Sequence, residues 1–159
     1  MTALTIDLEH LRRPGWSPRE AEHAALVAEF VRLLMNEHDF DTLHQRFGSS
    51  AYLQHNHGIA DGLDGVLTTV GNLVKRFPDY GYDVKHILVD DDIVTFHSHA
   101  TLRKAHRGND RKGFNITDRW RVVDGQIVEH WDSIQPMDLF GRVYSLFTGG
   151  TVRNKNGTY

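Results

Sequence analysis

Apolar residues recur at Ala24, Val27, Ala28, Val31, Leu34 and Met35, a stripe that follows one face of an α-helix. Ser17-Pro18-Arg19-Glu20 stands before it. Serine supplies the N-cap, proline fits the first helical position, and the glutamate can reach back to the cap backbone. The spacing predicts a helix from residue 18 to about Glu37. Asp39 and Asp41 open a shorter helix with Phe40, Leu43 and Phe47 on its buried side, ended by Gly48. Ala51-Tyr52-Leu53-Gln54-His55 reads as a short strand, followed by a turn-rich segment from Asn56 to Gly62. A third helical stripe runs through Val66, Leu67, Val70, Leu73, Val74 and Phe77 until Pro78 stops it.

From Tyr82 onward the period becomes two. Residues 82–89 form a strand, Asp90-Asp91-Asp92 a turn, and residues 93–103 a longer strand. Residues 104–112 make a polar loop. Two further β-prone runs, 114–123 and 126–134, flank Asp124-Gly125, a dipeptide that favours the tight hairpin turn. Pro136 ends the sheet, residues 137–147 form a short helix, and the stretch from Gly149 to Tyr159 reads as a mobile tail. Three helices with one early strand, followed by four antiparallel strands, argue for an α+β fold. The expected architecture is a strongly curved, mostly antiparallel sheet wrapped over three N-terminal helices and enclosing a pocket. The chain divides into an arm (1–16), one domain (17–136), and a C-terminal helix with its tail (137–159).

The hairpin carries the chemistry. Ile116, Asp118, Trp120 and Val122 share one strand face; Val128, His130, Asp132 and Ile134 share another. An aspartate within a half-apolar face is costly unless paired or used. A proton abstraction beside a carbonyl needs a base at the carbon and a donor at the oxygen. Asp118 and Asp132 are candidates for both tasks, because a carboxyl in an apolar cavity has its pKa raised. A structural ion pair with a neighbouring arginine is the competing reading for Asp118. The chain has eleven histidines, and several fall in or beside strands. His97 and His99 share a face and read as pocket polarity, as hydrogen-bonded sheet residues, or as two ligands of a metal completed by His55 or Asp118. His55 and Asn56 end a short strand, where side chains can point into a cleft. Tyr52 can donate its hydroxyl to a substrate oxygen, Trp120 can wall the pocket, and His130 faces the cavity with Asp132.

Composition narrows the classes. A net charge of −3 with mixed signs lacks the basic footprint of a nucleic-acid binder. No cysteine is present, which removes disulfides, thiol catalysis and zinc–thiolate sites and fits a reducing compartment. No apolar run approaches a membrane span, so the expectation is a cytoplasmic protein without membrane partners. Asp90-Asp91-Asp92 lacks the alternating ligands of a calcium loop, and Gly58, Gly62 and Gly65 make no phosphate loop.

Three motifs together resemble the SnoaL-like polyketide cyclases and the wider nuclear transport factor 2-like cone fold. They are Tyr52-Leu53-Gln54-His55-Asn56 with its glycine-bearing turn, His97-Ser98-His99 within a strand, and Asp118-Arg119-Trp120-Arg121 continuing through Asp124-Gly125 to His130-Trp131-Asp132. The resemblance implies a cone open between the bent sheet and the first and third helices, and a homodimer packed through the sheet. It places Asp132 at the family's acid/base position. Asp118 resembles the protonated aspartate that faces the oxyanion in the related ketosteroid isomerases. Their general-base aspartate has no counterpart on the early strand, where His55 and Asn56 stand. The expected activity is a cofactor-independent lyase, cyclase or isomerase acting on a small apolar carbonyl compound. Asp132, Asp118 and His55 are its catalytic candidates; His97, His99, Tyr52, Asn56, Trp120 and His130 are its substrate-binding candidates, with no metal. A small-molecule-binding protein using the same cone, and a metal-dependent enzyme using the histidines, are the alternatives.

Overall fold

The computed structural model describes residues 4–148 and 153–158, with the side chain of Thr148 outside that set. A one-turn helix, α1 (Leu8–Leu11), capped by the Asp7 carboxylate, interrupts the arm that the sequence reads as irregular. Helix α2 (Pro18–Val31) begins with the expected capping box, Ser17 and Glu20 exchanging hydrogen bonds with each other's backbone. Its last stretch, Arg32–Glu37, is wound as a π-turn and stops at His38 in the left-handed conformation. The π-turn presents Asn36 to the sheet. Its amide donates to the Tyr82 carbonyl at 3.0 Å, and its oxygen accepts the Tyr82 N–H at 2.7 Å. Helix α3 (Phe40–Phe47) follows an Asp39 cap.

Strand β1 (Leu53–Gln54) is shorter than expected. Helix α4 (Gly62–Arg76) precedes β2 (Gly81–Asp90), β3 (Ile93–Thr101), β4 (Phe114–Val123) and β5 (Gln126–Pro136); α5 (Leu139–Thr148) closes the order. The sheet runs β1-β5-β4-β3-β2, antiparallel except for the β1–β5 pair, which is parallel. The β4–β5 turn has Asp124 and Gly125 both at positive φ, 49° and 71°, the backbone that this dipeptide favours. Bulges between Val84 and His86 and between Arg121 and Val122 add local twist and bend. The sheet therefore curves without closing.

The second bulge also corrects the parity of β5. Val122 pairs with Ile127 and Arg121 with Glu129, so Ile127 is buried at 1% exposure while Val128 drops out of the inward row. His130 and Asp132 keep it, opposite Trp120 and Asp118. The concave face of the sheet carries Val94, Phe96, Ile116, Trp120 and Val122 against Val27, Phe30, Val31 and Leu34 from the α2 segment. Among these, the buried polar residues Gln54, Ser98, Asp118 and His130 mark where the core becomes a site.

Residues 153–158 lie along the segment after β1. Asn154, buried, donates to the carbonyls of Asn56 and Ile59 at 2.9 and 2.8 Å. Asn156 donates to the Gln54 carbonyl and to Asp61, and the Arg153 N–H reaches the His57 carbonyl. The rest of the expected mobile stretch, 149–152 and 159, lies outside the described residues. Asn154→Ala removes the shared donor of the Asn56 and Ile59 carbonyls, the first of which keeps the Ile59 N–H, a loss of about 1–3 kcal/mol. Urea denaturation should show it as a lower midpoint at unchanged slope; a midpoint equal to wild type would mean that the tail contributes nothing there.

Candidate active site

Asp118 and Asp132 face each other across β4 and β5, and Trp120 faces His130 one step further along the same row. The interior position of Asp118 follows from alternation: Ile116, Trp120 and Val122 are buried, and Asp118, 2% exposed, shares their face. Burial raises its pKa above the ordinary 3.8, and the neighbouring Asp132 charge pushes the same way; the hydrogen bond and charge of His130 oppose them. One atom each of Asp118, His130 and Asp132 lies within 4.8 Å of the other two.

The partners of this trio assign its protons. The Gln54 side-chain oxygen accepts the Asn56 N–H at 2.8 Å and lies 3.1 Å from His130 Nδ1. An atom that already accepts is the carbonyl oxygen, so Nδ1 donates to it. His130 Nε2 then faces Asp118 Oδ1 at 3.1 Å, and the one proton between them belongs either to the carboxyl or to the imidazole. Asp118 Oδ2 is buried with no hydrogen-bond partner among the described residues.

Asp132, half-buried, is held differently. Asn56 Oδ1 accepts the Gly58 N–H, which turns its amide nitrogen toward both oxygens of Asp132, at 2.8 and 2.7 Å. Two carboxyls in one site thus sit in different environments: Asp118 in a dry interior that favours the neutral acid, and Asp132, half-buried, with both oxygens on the Asn56 amide. Among the described residues this trio is the group whose approach would suit a metal ion. Its donor atoms, however, are arranged as a hydrogen-bond relay through Gln54, His130, Asp118 and Asn56.

Tyr52 is buried, stacked between Phe30 (6.0 Å) and His130 (6.1 Å). Its pKa is raised well above the ordinary value, first by burial, so its hydroxyl keeps its proton. Sequence reasoning missed three residues. Gln54 alternates with Tyr52 and Asn56, and that period of two was a usable signal. Tyr80 and Tyr82 are buried with rings 5.9 Å apart; burial raises both pKa values, and the charges of Asp118 and Asp132 add to the rise. Nothing in their local sequence separates them from core tyrosines.

Three expected site residues do not join the cluster. In β3 the residues opposite Asp118 and Ile116 are Phe96 and Ser98; His97 and His99 pair with Thr117 and Asn115 and lie on the outer face. There His97 contacts His86 at 3.2 Å and Asn115 at 2.5 Å, and His99 contacts the Lys112 carbonyl at 2.7 Å. His55 also points outward, because Gln54 pairs with His130. It binds Glu129 at 2.8 Å and the Gly157 carbonyl, and stacks on Trp131 at 4.9 Å. Among the described residues these histidines form no three-ligand group, so the histidine metal site drawn from spacing is not assembled. The competing ion pair of Asp118 with an arginine is likewise replaced by His130.

Comparison with known proteins places the fold. A family model described as a SnoaL-like domain matches residues 27–130. A candidate polyketide cyclase from Bacillus cereus superposes with a TM-score of 0.63 at 21% identity, covering 88% of this chain and 89% of that one. AclR, a candidate hydroxylase from Streptomyces galilaeus, gives 0.57 at 21%, covering 86% and 89%. An NTF2-like protein of unknown function from Cytophaga hutchinsonii gives 0.55 at 16%, covering 74% and 94%. At such identities the likeness establishes the fold. No curated protein sequence matches the chain. No helix of the described residues is long and apolar enough to cross a membrane.

Proposed function

The chain belongs to the SnoaL-like domain family, and from that premise we propose that it is a cofactor-independent lyase, cyclase or isomerase working by general acid–base catalysis on a small, mostly apolar carbonyl compound. The observation that carries this reading is the unequal treatment of the two facing carboxyls. Asp132, both of whose oxygens accept from Asn56, takes a proton from the carbon beside the carbonyl. Asp118, favoured as the neutral acid by burial, gives the carbonyl oxygen the proton that it shares with His130 Nε2. His130 holds Asp118 through Oδ1, and the enol O–H returns the proton to Asp118 when the carbonyl re-forms. The resulting enol is reprotonated at another carbon in an isomerisation, or attacks a second carbonyl in an aldol closure. The tyrosines and Trp120 around the pair supply the dry walls in which such proton transfers are effective.

The experiment needs no knowledge of the natural substrate. A panel of small apolar ketones is incubated in D2O and followed by proton NMR. Wild-type protein is expected to exchange α-protons of at least one ketone well above the buffer rate, and a double variant, Asp118→Asn with Asp132→Asn, is expected to fall to that rate. Equal exchange by the two proteins would remove acid–base catalysis and leave a binding role for the cone.

A further inference from the structure

The concave face continues past the acid pair to a second feature. Phe114 lies on the Asp118 side of β4, four residues before it, about 13 Å along the strand. With Leu102, just beyond β3, Phe77 at the end of α4 and Phe140 on α5, it floors a cleft of about 240 Å3. Leu102 and Phe114 are buried, and Phe140 packs edge-on to Phe77 at 6.3 Å.

The rim of this cleft is cationic. Arg103 and Lys112 stand on it with one carboxylate, Asp138. Asp138 is committed: one oxygen accepts the Gly141 N–H at 2.7 Å, and the other lies 3.9 Å from the Lys112 ammonium. The nearby Asp79 carboxylate is 3.9 Å from Lys104. Arg103 is exposed, and its guanidinium makes no hydrogen bond or ion pair among the described residues. An unpaired guanidinium over an aromatic floor matches a ligand with an apolar body and a carboxylate head.

We infer that this cleft is the outer subsite of the cone and that it selects apolar acids, compounds whose carboxylate pairs with Arg103 while their body lies over Phe77, Leu102 and Phe114. The face it shares with Asp118 orients such a molecule with its far end toward the acid pair. The inference rests on the proposed function only in taking this ligand to be the substrate; the binding itself stands on the cleft.

Isothermal titration calorimetry with 2-naphthoate and 2-naphthylmethanol separates the parts. The wild-type protein is expected to bind the acid about tenfold or more tightly than the alcohol, the difference expected of a charge-assisted contact. Arg103→Ala should bring the acid down to the affinity of the alcohol and leave the alcohol unchanged, and Arg103→Lys should restore part of the preference. Arg103 is exposed, so these variants are not expected to disturb folding. Equal binding of acid and alcohol by wild type, or a preference that survives in Arg103→Ala, would overturn the subsite. The Asp118→Asn and Asp132→Asn variants should keep the preference. Ketone exchange that persists in those variants, with the preference intact, would therefore count against the acid–base reading and not against the cleft.

Discussion

Asp132→Asn is expected to lower the rate of α-proton exchange by about 10²–10⁴-fold, the range that a positioned acid or base contributes, with the circular dichroism and melting curve of wild type. The substitution keeps the shape and exchanges the carboxyl for an amide; one amide orientation still gives Asn56 an oxygen to bind. Asp118→Asn should reduce exchange by a similar factor, yet its stability should move the other way. A carboxyl whose folded pKa is raised binds its proton more tightly folded than unfolded. Its contribution to stability is full below 3.8 and is lost as pH rises through the folded value. The asparagine variant escapes that loss, and its amide can donate to His130 Nε2 where the protonated carboxyl did. It should therefore be the more stable protein above that window and gain nothing below pH 3.8. Urea midpoints measured across pH would show the two curves diverging as pH rises; parallel curves would mean that Asp118 titrates normally. Carbon-13 NMR of the carboxyl gives the same answer directly, as a midpoint above 3.8.

The largest effect on folding is expected at Trp120. Its ring is 1% exposed and meets Phe96 edge-on at 5.4 Å, Phe30 at 6.4 Å and His130 at 5.2 Å. Trp120→Ala empties the centre of this aromatic group and should cost about 3–5 kcal/mol, a large share of the 5–15 kcal/mol typical of a whole domain. Trp120→Phe should cost much less. The indole N–H lies beside the Tyr52 hydroxyl but outside hydrogen-bond geometry with any described partner, and phenylalanine removes that unsatisfied donor while keeping most of the ring contacts. Equal losses in the two variants would show that the N–H is satisfied and that the indole is held by it.

The placement of this site shows where a linear reading works. Alternation within β4 put Asp118 with Trp120 and Val122, and the buried row of the strand is that row. It also put Asp132 with His130. Alternation in β3 sorts the strand correctly into two sets, but by pattern alone the set containing His97 and His99 reads as the cavity side. The apolar set, Val94, Phe96 and Ala100, marks the concave face, because the floor of a cone is continuous with its core. The polar set is what remains for the outside. His55 turns away from the expected face for another reason. Its strand has only two paired residues, and a parallel partner far along the chain, β5, decides which of Gln54 and His55 turns inward.

The sequence by itself determined the order of elements, the capping of α2, the Asp-Gly hairpin and the family, because each depends on contacts between neighbours along the chain or on a repeat period of 3.6 or 2. The tertiary structure alone decided which of two equivalent faces is inside, through strand register and the bulges that shift it. It also decided the unequal environments of the two carboxyls. Burial beside His130 and a grip from Asn56 bring together residues 54–56, 118 and 130–132, and no local pattern encodes a contact across so much chain.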